Sequence, residues 1–192
     1  MPARRAYERL EMLPMEERMR HEGPFQSHWY AFVAERLAYR QSLLDVGAGS
    51  GYGLEIYREA GAREVFGIDL LPLGAHVHAL AVEERPDKSF DIVTAIDVIE
   101  HVLDDRNFFD HLCRIARSAV FLSTPNYLVS QGENPFHARE YTPDELRELV
   151  GDRKVEVYTA SGDKVIRSHL NGFGTVTADP QDANFGVLVW IS

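Results

Sequence analysis

The run Leu43-Leu44-Asp45-Val46-Gly47-Ala48-Gly49-Ser50-Gly51-Tyr52-Gly53 constrains this chain more than any other stretch. An apolar segment of strand length passes directly into glycines at alternate positions. Glycine turns the backbone at positive φ and admits a ligand where a Cβ would otherwise stand. The pattern therefore predicts a strand, a tight turn and a helix, with a nucleotide-like molecule lying on the turn. The glycines alone do not choose the ligand, because dinucleotide sites open the same way and set a pyrophosphate at the helix N-terminus.

Two acids narrow the choice. Asp45 stands just before the first glycine, where it would repel a pyrophosphate and attract a cationic amino-acid tail. A second apolar run, Glu64-Val65-Phe66-Gly67-Ile68, ends in Asp69, close to the spacing at which a βαβ unit sets a carboxylate on a ribose diol. Two acids without a phosphate-binding lysine suit S-adenosylmethionine, which offers a ribose, an adenine, a positive sulfonium and a zwitterionic tail.

Taken in order, DVGAGSGYG, GIDL, SFDIVTAIDVIEHV, FLSTPN and NPFHAREYTPDEL resemble the class I S-adenosylmethionine-dependent methyltransferases, from about Phe25 to about Val150. The motifs are most similar to those of the ubiquinone-type O-methyltransferases. The resemblance implies an α/β, Rossmann-like fold: a mostly parallel seven-stranded sheet with an antiparallel final strand. It also implies a cofactor held by Asp45, Gly47, Ala48, Gly49, Gly51, Asp69, Leu70, Leu80 and Asp97. The chain departs from the family at the crossover between strands two and three. Only Leu70 to about His76 is available there, and Pro72 and Gly74 disfavour a helix. The acid that usually meets the adenine amine is replaced by Ala79 or Leu80. Adenine is then left to backbone groups and apolar contact, or to a more open pocket edge.

With 192 residues and 45% hydrophobic content, the chain can bury one sizeable core. His21-Glu22-Gly23-Pro24 breaks it into a helical lid over residues 1–24 and a cofactor-binding domain over 25–192. In the helix expected from about Gln26 to Tyr39, Trp29, Phe32, Val33 and Leu37 share a face. The family places this helix beside the cofactor, within reach of His28, Trp29 and Tyr30, and Trp29 reads best as core. The tail reads as two strands, Val155 to Thr159 and Gly186 to Ile191, joined by a long polar connection. No apolar run approaches membrane-span length and MPARRAYERLEM is too charged for a secretory signal, so a cytoplasmic protein without a membrane partner is expected. A net charge of −10 argues against nucleic acid as a partner. The single cysteine, Cys113, falls among Phe108, Phe109, Leu112 and Ile115 at helical spacing and reads as core.

The chemistry gathers after the fourth strand, at Asp97-Val98-Ile99-Glu100-His101. A helix starting there would put Asp97, Glu100 and His101 on one face, and the fold carries the loop holding His137 over the same edge. His101 is the candidate base for a hydroxyl acceptor. Asp97, Glu100, His101 and His137 also form a donor set for a divalent cation such as Mg or Mn, similar to the metal site of small-RNA 3′-terminal 2′-O-methyltransferases. In the metal-free reading the acid orients the helix and the histidine lines the pocket.

Three functions fit these residues. The first is methyl transfer to a hydroxyl of a small molecule or glycan. The second is metal-dependent 2′-O-methylation of an RNA 3′ end, and the third is a non-catalytic cofactor-binding or interaction scaffold, which the shortened crossover would suit.

Overall fold

The computed structural model describes residues 26–161 and 166–191, so the lid expected over 1–24 lies outside the described residues. Helix α1 (Ser27–Val33) runs into a π turn at Ala34–Ala38, completing the helix expected before the first strand. Then come β1 (Ser42–Val46), α2 (Tyr52–Glu59), β2 (Glu64–Asp69), β3 (Val77–Ala79) and β4 (Phe90–Ile96). The second half holds α3 (Asp105–Ile115), β5 (Ala116–Pro125), α4 (Tyr127–Ser130), α5 (Pro143–Val150), β6 (Val155–Ala160), β7 (Ile166–His169) and β8 (Asn184–Trp190).

The strands form one eight-stranded sheet in the order β3-β2-β1-β4-β5-β8-β6-β7. Pairing is parallel from β3 through β5, whereas β8 is antiparallel to both its neighbours and β7 is antiparallel to β6. The chain winds outward from β1 in one direction and restarts at β4 in the other. This reversal opens a crevice at the carboxyl ends of β1 and β4, where open α/β sheets bind ligands.

Both faces of the sheet are covered, so its central strands are apolar at successive positions rather than at alternate ones. Leu44, Val93 and Val120 face one core with Phe109, Leu112 and Leu146, whereas Leu43, Ile92 and Phe121 face the other with Trp29, Val33 and Tyr57. Each fully buried side chain of this kind stabilises the fold by roughly 1.5–3 kcal/mol. Cys113 lies in the first core, where burial pushes its thiol up to about 11. Helix α5 begins on a reciprocal cap: Thr142 Oγ1 accepts from Glu145 N, the Glu145 carboxylate accepts from Thr142 N, and Pro143 fills the first turn.

The extra edge strand comes from the polar tail connection. Ile166-Arg167-Ser168-His169 has little apolar pattern, and buried polar groups hold it instead. Thr159 Oγ1 donates to Asp182 Oδ1 across 2.6 Å, which leaves His169 Nε2, 2.7 Å away, to donate to Thr159. Arg167 completes the set on Asp182 at 3.1 Å. Such groups can be buried because each finds a partner.

The crossover from β2 to β3 has no helix. It folds back across the glycine turn, with Leu73 N donating to Gly49 O at 3.0 Å. Gly74 packs so closely that a Cβ there would stand 2.0 Å from the Ser50 carbonyl oxygen.

Candidate active site

The crevice opens into a cavity of about 620 Å³, lined along one wall by Gly47, Ala48 and Gly49. Gly47 has φ +76°, and a Cβ there would meet Val98 at 2.4 Å, so both conformation and space demand glycine. Gly51, expected at the ligand, instead sits at the N-cap of α2 with φ +79° and does not line the cavity. Ser50, Tyr52 and Gly53 take that stretch of wall.

Asp69 lines the cavity with its carboxylate fixed by the backbone. Its Oδ2 accepts from Gly49 N at 3.0 Å and its Oδ1 from Leu71 N at 2.8 Å. A carboxylate has about four acceptor positions, so lone pairs remain for a ligand hydroxyl. Leu70, Leu80 and Val82 continue this side, and Glu83 adds an acid near the place where the sequence lacks one at Ala79 and Leu80.

Asp45 corrects the sequence reading, which placed it against the cofactor. It is wholly buried and does not line the cavity. Its carboxylate accepts from Thr94 Oγ1 at 2.6 Å and Tyr30 Oη at 3.1 Å. Burial raises it to about 7, against the pull of those two hydrogen bonds. The alternating strand explains the difference: Asp45 points into the sheet below the turn, and Val46 and Gly47 reach the ligand side.

Asp97 lines the cavity but does not start a helix. It takes φ +52°, and a 3₁₀ turn follows at Ile99–His101. Its Oδ1 accepts from Ser123 Oγ, so its carboxylate points to β5. Asp97 is accordingly absent from the one group of metal-capable side chains among the described residues, Glu100, His101 and His137. One donor atom from each of the three lies within 4.8 Å of the others. The expected four-residue set is thus reduced to three.

The geometry of this trio is specific. Glu100 is 1% exposed, and its Oε2 has no hydrogen-bond partner among the described residues. Burial, and then the nearby Asp97 charge, push its carboxyl well above the usual range. His101 Nδ1 lies 3.0 Å from the Phe136 carbonyl, which can only accept, so Nδ1 carries the proton and Nε2 the lone pair. Burial lowers the affinity of His101 for a second proton, with the neighbouring His137 acting in the same direction. The two imidazoles meet edge to face with centroids 5.0 Å apart. The 134–141 loop is fastened beneath them: Ala138 N and Arg139 N donate to the Glu100 carbonyl at 2.7 and 3.1 Å.

The sequence profile of the methyltransferase domain matches residues 15–160. The chain belongs to the class I S-adenosylmethionine-dependent methyltransferases. A probable S-adenosylmethionine-dependent methyltransferase of Mycolicibacterium smegmatis is 36% identical over an alignment of 162 positions that covers 71% of this chain and 63% of that protein. A ubiquinone biosynthesis O-methyltransferase of Erwinia tasmaniensis is 31% identical over an alignment of 126 positions that covers 54% of this chain and 50% of that one. The chain thus spans less than two thirds of the curated relatives it matches. Among solved structures, a methyltransferase from Haloferax volcanii, in complex with the methyltransferase activator Trm112, superposes with a TM-score of 0.70. That match covers 89% of this chain and 92% of the other at 16% identity, a likeness of fold.

Within this methyltransferase, Tyr52, Glu83 and Phe136 join the cavity wall without a role assigned from the sequence, and of the three α1 residues expected within reach only Tyr30 lines it. Tyr30 enters from α1, whereas its neighbour Trp29 is fully buried against Phe121 and His28 is also buried off the cavity. Glu140 receives no role from the sequence alone, although its spacing of three from His137 is a usable signal. Among the described residues no lysine or arginine lines the cavity, and no helix is long and apolar enough to cross a membrane.

Proposed function

We propose that this methyltransferase transfers the methyl group of S-adenosylmethionine to a hydroxyl of a neutral small molecule or glycan. The carrying observation is a cavity that joins the Gly47–Gly49 wall and the fixed Asp69 carboxylate to a neutral His101. When bound, S-adenosylmethionine supplies an electrophilic methyl group on a cationic sulfonium. Gly47, Ala48, Gly49, Asp69, Leu70, Leu80 and Asp97 line the space for it, and Asp69 is suited to the ribose hydroxyls. The acids of the cavity, with no lysine or arginine beside them among the described residues, favour a cationic cofactor and an uncharged acceptor over an anionic one. His101 is suited to take the acceptor proton at Nε2, because its Nδ1–H is already held by Phe136 O. Alignment of the two reactants in the crevice supplies much of the remaining rate.

A metal-dependent reading, directed at an RNA 3′-terminal 2′-hydroxyl, has one observation in its favour. The orphaned Glu100 Oε2 and two imidazoles within 4.8 Å form an O,N,N donor set that fits a divalent cation. A cation held by Glu100, His101 and His137 would polarise an acceptor oxygen.

The two readings part on one assay. Transfer of labelled methyl groups from S-adenosylmethionine to a panel of sugars and phenols should survive chelation and fail in His101→Ala. Transfer only to RNA ends, abolished by chelator and restored by Mn or Mg, supports the second reading and overturns the first.

A further inference from the structure

His137 stands in the cavity wall on a loop, where nothing in the helix or sheet framework fixes its imidazole. Its two ring nitrogens nevertheless have defined partners. Nδ1 lies 2.6 Å from Glu140 Oε1, and Nε2 lies 2.9 Å from Asn134 Nδ2. The Asn134 amide has only one consistent orientation, since its Oδ1 accepts from Phe136 N at 3.0 Å and its Nδ2 must therefore donate. His137 Nε2 is thus an acceptor, and Nδ1 carries the proton given to Glu140.

Glu140 is itself tightly held. It is 7% exposed; Ser130 Oγ and Gly132 N both donate to its Oε2, the latter at 2.9 Å, leaving Oε1 for His137. Ser130 itself is positioned by the short helix α4, its backbone N donating to the Asn126 carbonyl at 3.0 Å.

We propose that Glu140 is a positioning residue that locks His137 in the Nδ1–H tautomer, so that the Nε2 lone pair is offered to the acceptor side of the cavity. Asn134 holds that lone pair in the free protein and yields it to whatever group the acceptor site receives. The functional consequence rests on the methyl-transfer reading, but the tautomer itself does not. An ionised carboxylate can only accept, so it admits one tautomer. A glutamine at 140 reverses the logic: Ser130 Oγ and Gly132 N still require an oxygen at the Oε2 position, which turns the amide NH₂ toward His137 Nδ1. Nδ1 must then accept and the proton moves to Nε2, removing the lone pair, and the Asn134 amide must turn to set its Oδ1 against the new N–H, giving up its bond from Phe136 N.

The test is ¹⁵N NMR of the histidine rings in the full chain near neutral pH, where long-range couplings report which nitrogen carries the proton. The parent should show His137 as Nδ1–H, Glu140→Gln should show it as Nε2–H, and Ser130→Ala, which leaves the Oε1 contact intact, should match the parent. Unchanged His169 signals, from a ring held by Thr159 and Thr175 away from the cavity, would report a retained fold. An Nε2–H tautomer in the parent, or an unchanged tautomer in folded Glu140→Gln, overturns the proposal. If Glu140→Gln does not fold, the parent and Ser130→Ala spectra decide it by the same criterion. With an acceptor in hand, Glu140→Gln should lower kcat about 10- to 100-fold, as loss of an orienting partner typically does, with cofactor affinity retained. Absence of methyl transfer in the parent with the tautomers as stated would count against the function and not against this proposal.

Discussion

The Tyr30 hydroxyl donates to Asp45 Oδ2 across 3.1 Å, joining α1 to the central strand directly beneath the glycine turn. Burial is the main cause that lifts Asp45 from 3.8 to about 7, so the folded protein holds this proton more tightly than the unfolded chain does. The stability linked to this group is therefore present in full below about pH 4 and is lost as pH rises to about 7, where the buried group must ionise. Asp45→Asn removes the ionisation. The melting temperature of the variant minus that of the parent is expected to rise between about pH 4 and pH 7 and to level off above it. A difference that stays flat across this range would show that folding does not raise the pKa of Asp45.

Replacing Gly74 by alanine tests the substitute for the missing crossover helix. A Cβ would lie 2.0 Å from the backbone oxygen of Ser50, an atom that cannot move without displacing the glycine turn. The expected cost is about 1–3 kcal/mol by urea unfolding, with weaker binding of S-adenosylhomocysteine. Unchanged stability together with unchanged binding would mean that the crossover does not support the turn.

Helix α5 offers a control remote from the chemistry. Thr142→Ala removes the side-chain acceptor for Glu145 N at the N-cap and should cost about 1 kcal/mol, or roughly 2–4 °C in melting temperature. Cofactor affinity should not change. A loss of binding in this variant would mean that the 134–141 loop depends on the helix it leads into.

The parts of the fold set by periodic apolar runs were legible in the chain. β1 and β4 carry nearly continuous buried sequences, β2 carries the apolar run Val65 to Ile68, and Pro72 with Gly74 announces the absent helix. β7 was not legible, because it is held by Asp182, His169 and Thr159 pairing across the tail rather than by an apolar pattern. In the site, the glycine wall and Asp69 follow from local sequence, since one turn and one strand end determine them. Asp45 and Asp97 both sit at strand ends beside the ligand edge in sequence, yet Thr94 and Tyr30 hold the Asp45 carboxylate in the interior, whereas Asp97 stays in the cavity wall with Ser123 holding one of its oxygens. The link from Glu140 to His137 needs the folded loop, in which Ser130 and Gly132 settle which carboxylate oxygen is available.

The most direct test of the account is calorimetric titration of the purified chain with S-adenosylhomocysteine. Asp69 couples the glycine turn to Leu71 through hydrogen bonds of 3.0 and 2.8 Å and faces the cavity. The parent should bind one equivalent, and Asp69→Ala should bind at least about tenfold more weakly, consistent with the loss of charge-assisted hydrogen bonds worth about 1.5–3 kcal/mol. No binding by the parent, or equal affinity in the two proteins, would contradict the assignment of this cavity to S-adenosylmethionine.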